Sequence, residues 1–231
     1  GKDSMLLAKL VQELERHGSR NFTAEYICMD PGYNAENLER IKYNAGLLGI
    51  PLNIFRSDVF EAAEMVNADS PCYMCARMRR GCLYARAKEL GCNKIALGHH
   101  RSDVIETTLM GMFYGGQVQG MMPRIKSSNF EGMELIRPMY CISEEDIEHW
   151  RDYNGLHFIA CACSFTQRLA DSGQARSVRA EMKELVKEMK RRNPDVEKSL
   201  FRSIHNVQLD TLPGWKSQGV VHSFLERFED D

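Results

Sequence analysis

The 231-residue chain contains no apolar run of the ~18 residues that a membrane-crossing helix needs, and nothing in it reads as a signal peptide. A membrane role is therefore not expected, and a cytoplasmic, reducing setting is. Charge of one sign is not in excess either: 30 Lys and Arg stand against 32 Asp and Glu, a net charge of −2. That excludes a protein coated in positive charge and leaves only local basic faces for contact with nucleic acid. Eight cysteines are too few for a disulfide scaffold, so closely spaced cysteines in this setting read as metal-binding or redox-active. There is no Gly-x-x-x-x-Gly-Lys-Ser/Thr segment, which excludes a Walker-type phosphate loop. Internal repeats and low-complexity tracts are absent. An initiator Met is missing too, and the chain opens inside what reads as a motif, so upstream residues are expected to be missing.

What is present is an ordinary globular balance, 43% hydrophobic and 27% charged, in a length that suits one large α/β domain or one domain with an appendage. Met5, Leu6, Leu10, Val11 and Leu14 recur at helical spacing, so residues 3–17 read as a helix closed by Gly18, with Asp3 and Ser4 as its capping residues. Helices are expected likewise over 34–48, 76–90, 102–113, 143–153 (capped by Ser143), 174–192 and 195–207. Strands are expected over 25–29, 51–55, 94–97, 135–138 and 156–159. Short strands alternating with helices of ten or more residues predict an α/β fold, a parallel sheet with helices on both faces. The alternation gives way to helices alone near 165–173. This divides the chain into a domain over 1–170 and a helical C-terminal region and tail over 171–231, the tail from Thr211 reading as loosely held.

Four features carry chemistry. Gly1-Lys2-Asp3-Ser4 is a glycine-led turn before a helix, where backbone amides and the positive end of the helix dipole can hold phosphate; a plain capped helix is the bland alternative. Leu97-Gly98-His99-His100-Arg101-Ser102-Asp103-Val104-Ile105-Glu106 follows a strand and opens a helix, the end of an open sheet at which ligands bind. Asp103 and Glu106 lie three apart near the helix start and could hold Mg²⁺ or orient a nucleotide, or merely cap the helix. Third, Cys72 and Cys75 precede a helix, and Cys161 and Cys163 follow almost ninety residues later. Four thiolates would close a structural zinc site. Three would hold a [4Fe–4S] cluster with one iron open. Cys28, Cys82, Cys92 and Cys141 sit in apolar stretches and read as small core residues. Last, two basic patches, Arg77, Arg79, Arg80, Arg86 and Lys88 on one helix and the 174–192 helix as a whole, suit a phosphate backbone, although such runs usually mark a solvated helix face.

Taken together these motifs resemble the PP-loop ATP pyrophosphatase superfamily, whose loop reads Ser-Gly-Gly-x-Asp-Ser and ends as this chain begins. Within it the chain is most similar to the tRNA 2-thiocytidine synthetase family. The resemblance rests on Pro71-Cys72-x-x-Cys75-x-Arg77-x-Arg79-Arg80-Gly81, Lys94-Ile-Ala-Leu-Gly-His-His100, Met112-Phe-Tyr-Gly-Gly116 and Ile136-Arg-Pro138, and covers roughly residues 1–170. It implies the fold of the adenine nucleotide alpha hydrolases and an ATP-dependent tRNA sulfurtransferase. Mg-ATP adenylates the C2 oxygen of the cytidine at the start of the anticodon loop (position 32), and sulfur then displaces AMP. It implies catalytic roles for Asp3, Asp103, Cys72 and Cys75, and ATP and Mg²⁺ held by Gly1, Lys2, Asp3, Ser4, Asp30, Gly98, His99, Asp103 and Glu106. It further implies a [4Fe–4S] cluster on Cys72, Cys75 and Cys161, with Cys163 as the alternative third ligand, and tRNA contacts from Arg77, Arg79 and Arg80. The implied partners are tRNA, a sulfur donor such as a cysteine desulfurase, and a second copy of the chain. There are departures. Ser102 stands where the family has the first of two aspartates, and the later cysteine pair is Cys161-Ala-Cys163 instead of Cys-x-x-Cys. They leave open thiolation of a uridine or of a small molecule, and a zinc- or cluster-bearing nucleic-acid module without turnover. The zinc-finger cysteine pairs of the 2-thiouridine branch are absent, which disfavours that branch.

Overall fold

The computed structural model describes residues 1–18, 21–57, 71–158 and 178–228, the side chains of 71–77 excepted. The order of elements is α1 (Lys2–His17), β1 (Tyr26–Asp30), α2 (Ala35–Leu47), β2 (Leu52–Arg56), α3 (Pro71–Glu89), β3 (Lys94–Ala96), α4 (Arg101–Gly115), β4 (Arg124–Lys126), β5 (Glu134–Ile136), α5 (Glu144–Tyr153), α6 (Val178–Arg192), α7 (Val196–Ile204), β6 (Gly214–Ser217) and β7 (Val220–Ser223). β1 pairs with β2 in parallel, Tyr26 opposite Leu52 and Asp30 opposite Arg56. β3 pairs with β5 in parallel, while β4 adds an antiparallel edge on the other side of β5. This is the expected α/β alternation, its strands set among the described residues in a two-stranded parallel sheet and a three-stranded sheet with β4 as antiparallel edge. β4 escapes sequence reading because all three of its residues are exposed, so no apolar alternation marks it.

Helix faces seat these strands. Leu6 and Leu7 of α1 pack with Met139 and with Ile147 of α5, while Met5 on the neighbouring face packs with Ala45 and Ile50. Ile147 is wholly buried, a contribution of roughly 1.5–3 kcal/mol for such a side chain. On α4, Ile105 and Leu109 meet Met182 and Val186 of α6, with Leu200 and Phe201 of α7 against the same cluster. The C-terminal helices therefore sit directly on the helix that follows the histidine loop.

Several expectations are corrected. Pro71 occupies the first helical position, where its fixed φ suits a helix and its missing N–H costs nothing. α3 thus begins five residues early, and Cys72 and Cys75 lie in its first turns, not ahead of it. Residues 156–158 are not a strand; the His157 carbonyl accepts from the Asn44 side-chain amide instead of a neighbouring strand. Residue 159, and residues 174–177 at the start of the expected long helix, lie outside the described residues. Asp3 and Ser4 sit inside the first turn of α1, whose N-cap is Gly1. Over its described residues, 211–228, the tail is folded. β6 and β7 form a hairpin over Gln218 and Gly219, both at positive φ (50° and 85°), and Trp215 stacks on its cross-strand partner His222 at 5.1 Å. Cys28, Cys82 and Cys92 are half-buried, and Cys92 packs against the Ile95 cluster. Cys141, expected in the core, is exposed.

Candidate active site

Two segments distant in sequence meet at the start of α1. Gly1 brings no side chain to cap the first turn, which leaves its amides and the positive helix end to an anion. The loop after β3 crosses this point. A Cβ on Gly98 would stand 3.0 Å from the Asp3 carbonyl carbon and 3.1 Å from its oxygen, so only glycine allows the two backbones to lie this close. Beyond it, buried His100 caps α4. Its N–H donates to Asp103 Oδ2 at 3.0 Å, and its Nε2 lies 3.4 Å from that oxygen and 3.9 Å from Asp3 Oδ1. One imidazole thus stands between the two carboxylates.

The carboxylate pair on α4 is occupied by a cation from another helix. Arg179 NH1 reaches Asp103 Oδ1 at 3.0 Å and Glu106 Oε2 at 3.1 Å, and NH2 donates to Thr107 Oγ1 at 3.2 Å. Burial raises the Glu106 carboxyl above its ordinary value, a tendency that Arg179 opposes. Lys2 lies 3.1 Å from Asp3 Oδ1 and 3.1 Å from Glu144 Oε1, and Lys183 holds the same Glu144 at 2.7 Å. Ser102, at the departure from the family pattern, donates to Glu197 Oε1 of α7 at 3.3 Å. Over its described residues, α6 is not wholly a free basic face: Arg179, Lys183 and Lys190 are turned onto carboxylates of α4, α5 and α7.

On the other flank, burial lowers the His99 pKa below its ordinary value, with Arg137, Arg179 and Arg80 adding to the effect and Asp103 opposing it. Asp30 is engaged locally, its Oδ1 accepting from the N–H groups of Gly32 at 2.9 Å and Tyr33 at 2.8 Å. Tyr33 lines a recess with Gly1, Met5, Asn37, Asn44 and Phe158, and receives Arg79 NH2 on its hydroxyl at 3.4 Å. Arg80 is exposed. Gly1, Lys2, Asp3, Ser4, Gly98, His99, Asp103 and Glu106 thus fall around one corner of the fold. Cys72 and Cys75 stand three residues apart on α3, one helical turn. Cys161, Cys163 and the Arg77 side chain lie outside the described residues. Among the described residues no three His, Cys, Asp or Glu side chains are placed to share a metal ion. Sequence reasoning missed Arg137, Glu144 and the inward turn of Arg179 and Lys183. Only Arg137, within Ile136-Arg-Pro138, carried a local signal.

A glycine loop at a strand end, laid on an uncapped helix start among carboxylates and imidazoles, defines an α/β nucleotide-site protein, and residues 1–169 match the family model described as PP-loop domain. The chain is 33% identical over 222 residues to a tRNA-cytidine(32) 2-sulfurtransferase of Pelobacter propionicus, covering 95% of this chain and 80% of that protein. It is 32% identical to the one of Geobacter metallireducens (90% and 79% covered) and 34% identical to one of Vibrio vulnificus (90% and 65%). Among solved structures, the U34-tRNA thiolase NcsA from Methanococcus maripaludis with its [4Fe-4S] cluster shares the fold, with a TM-score of 0.66 at 19% identity over 90% of this chain and 70% of that one. The chain belongs to the PP-loop family and, within it, to the tRNA-cytidine(32) 2-sulfurtransferases. No helix of the described residues is long and apolar enough to cross a membrane.

Proposed function

We infer that this protein is an ATP-dependent tRNA sulfurtransferase that converts cytidine 32 of tRNA to 2-thiocytidine. The observation that carries the reading is the contact of Gly98 with the Asp3 backbone, which unites the family's two nucleotide motifs at one helix end. The chemistry follows from the substrate. A pyrimidine C2 carbonyl is a poor electrophile, and its oxygen attacks the α-phosphorus of ATP, expelling pyrophosphate and becoming a leaving group. A sulfide equivalent then adds at C2, the C–O bond breaks, and the oxygen departs with AMP.

The amides of the α1 first turn hold the pyrophosphate end of ATP, and Lys2 and Asp3 set the charge there, with Asp3 beside Mg²⁺. The recess beside Gly1, with Tyr33, Asn37 and the apolar Met5 and Phe158, suits a planar base. Arg77, Arg79 and Arg80, on the helix that bears Cys72 and Cys75, would meet tRNA phosphates. A [4Fe–4S] cluster fits the donor set, since two thiolate positions one helical turn apart match the first pair of a three-cysteine site, and Cys161 or Cys163 would be the third ligand. When bound, the cluster would supply an open coordination position for sulfur delivery. The division into a catalytic unit over 1–170 and a helical unit over 171–231 belongs to the same proposal, as do a dimeric state and a cysteine desulfurase as sulfur source.

The test is nucleoside mass spectrometry of bulk tRNA from a strain lacking this gene, with complementation by the full-length protein. Loss of 2-thiocytidine and its return on complementation are expected. Normal 2-thiocytidine in the deletion strain refutes the substrate assignment, and loss of a thiouridine instead moves the activity to that base. Anaerobically purified protein is expected to carry about four irons per chain, and the Cys72→Ser and Cys75→Ser variants to lose them. A single zinc on four cysteines would rule out the cluster.

A further inference from the structure

Arg137 has a place in the fold that the thiolase reading does not use. Its side chain is almost fully buried, at 7% exposure, although it carries a permanent charge. It is pinned from two sides. Its NH1 donates to the Met122 carbonyl, and its backbone N–H donates to the Pro123 carbonyl at 2.9 Å. Its Nε then donates to His99 Nδ1 at 3.2 Å.

This last contact has only one chemical solution. A guanidinium is a donor at every nitrogen and does not lose its proton in proteins, so Nδ1 of His99 must offer a lone pair. An imidazolium has no lone pair, and the Nδ1–H tautomer has its proton in the way. The ring is therefore neutral with its proton on Nε2. Among the described residues no group is bonded to Nε2. We propose that Arg137 is a positioning residue that locks His99 as a neutral Nε2–H donor, and that this donor serves a phosphate oxygen in the site. The proposal rests on the thiolase reading for its ligand, but not for the state of the ring.

The charges around His99 select the acceptor. Arg137, Arg179 and Arg80 act on the ring as cations, and Asp103 opposes them. Arg137 touches the ring and Asp103 is itself held by Arg179, a setting that favours an anion beside the donor. A neutral ring also suits this corner, because a fourth positive charge there would be opposed by the other three. Two sources of phosphate oxygen fit, the nucleotide and the RNA backbone.

The experiment is long-range ¹H–¹⁵N correlation NMR on the ¹⁵N-histidine-labelled full chain at pH 7, with His99→Gln identifying the signal among the 7 histidines. One protonated Nε2 and one unprotonated Nδ1 are expected. In Arg137→Met the ring should become a mixture of tautomers, and its protonation midpoint should rise by about one unit as a buried neighbouring cation is lost. The acid limb of kcat/KM should move upward by the same amount, because the neutral form is then lost at higher pH. Arg137→Lys, still a donor, should restore the single tautomer if Arg137→Met folds poorly. Pyrophosphate shifting the Nε2 signal would assign the donor to the nucleotide, and a short anticodon stem-loop RNA alone doing so would assign it to the RNA; a response to neither overturns the acceptor. An Nδ1–H tautomer or an imidazolium in the native chain at pH 7, or a tautomer unchanged in Arg137→Met, overturns the lock. None of the NMR readouts needs sulfur or a cluster. A chain inactive on cytidine but with the Nε2–H ring intact would refute the function and not the lock.

Discussion

Gly98 is the most constrained single residue of the candidate site. Alanine there places a methyl group 3.0 Å from the Asp3 carbonyl carbon, and both partners are backbone, so neither can swing aside. The Gly98→Ala protein is expected to fold with a normal circular dichroism spectrum and to lose at least about a hundredfold in ATP–pyrophosphate exchange, the scale on which small displacements of positioned groups act. Exchange within threefold of the native rate would show that the approach of the two backbones does not matter to nucleotide use. Arg179 is constrained by charge instead. Burial raises the Glu106 carboxyl, so the charged form is unfavourable in the fold and Arg179 offsets that cost. Arg179→Met should destabilise the protein by about 2 kcal/mol at neutral pH, the usual loss when a buried charged group forfeits its hydrogen bonds. A group whose folded pKa is raised is relieved as pH falls and the carboxyl protonates. The deficit should therefore shrink from pH 7 toward pH 4 in urea titrations, and a deficit constant across that range would contradict the assignment to Glu106.

Elements differ in how far their own residues announce them. α5 is the plainest case. Ser143 Oγ accepts from the Asp146 N–H at 3.1 Å, and Glu144, Glu145 and Asp146 fill the first turn, each a local choice visible in four residues. Ser143→Ala should cost about 1 kcal/mol in denaturant unfolding, and Ser143→Asp should recover most of it; equal stability of all three would mean that the cap contributes nothing. α1 and α2 were legible through a 3.6-residue apolar period with a glycine stop, and α4 through its place after the strand and its stop at Gly115 and left-handed Gly116. The early start of α3 was not, because Pro71-Cys72-Tyr73-Met74-Cys75 has no apolar stripe and a proline there reads as a break. β4, β6 and β7 were missed because they are largely exposed, and exposed strands need no alternation. In the site, the loop at Gly98 through Asp103 and the residues at the start of α1 were legible because each is a local motif. Arg137, Arg179, Glu144 and Lys183 were not. Each acts on a partner tens of residues away, and only the fold decides which cation reaches which carboxylate.

At the scale of the whole molecule, one carboxylate ties the first helix to the helical region after residue 170. Glu144 takes Lys2 from the first helix on Oε1 at 3.1 Å and Lys183 from α6 on Oε2 at 2.7 Å. Burial alone would raise the Glu144 pKa, but the bonds from Lys183 and Lys2 outweigh it and bring the carboxyl below its ordinary 4.5. Lys2 moves oppositely: burial would lower it, yet Asp3 and Glu144 raise it above 10.5. The linkage signs follow. A depressed acid contributes stability that is complete above 4.5 and is lost as pH falls through its folded value, whereas a raised base contributes stability that is complete below 10.5 and is lost as pH climbs through its folded value. The junction is therefore expected to hold across the neutral range and to fail at both ends. Glu144→Gln should lower unfolding stability by about 1–2 kcal/mol at pH 7, since both lysines are left facing a neutral amide, and the gap to the native protein should close as pH falls below 4.5, where the native carboxylate itself protonates. Because Lys2 also stands 3.1 Å from Asp3, the same substitution should weaken nucleotide binding at pH 7 by freeing the lysine to move, visible as a raised KM for ATP with kcat little changed. A pH-independent stability gap would place the effect of Glu144 in packing and not in charge. An unchanged KM would separate the junction between α1 and α6 from the nucleotide site beside it.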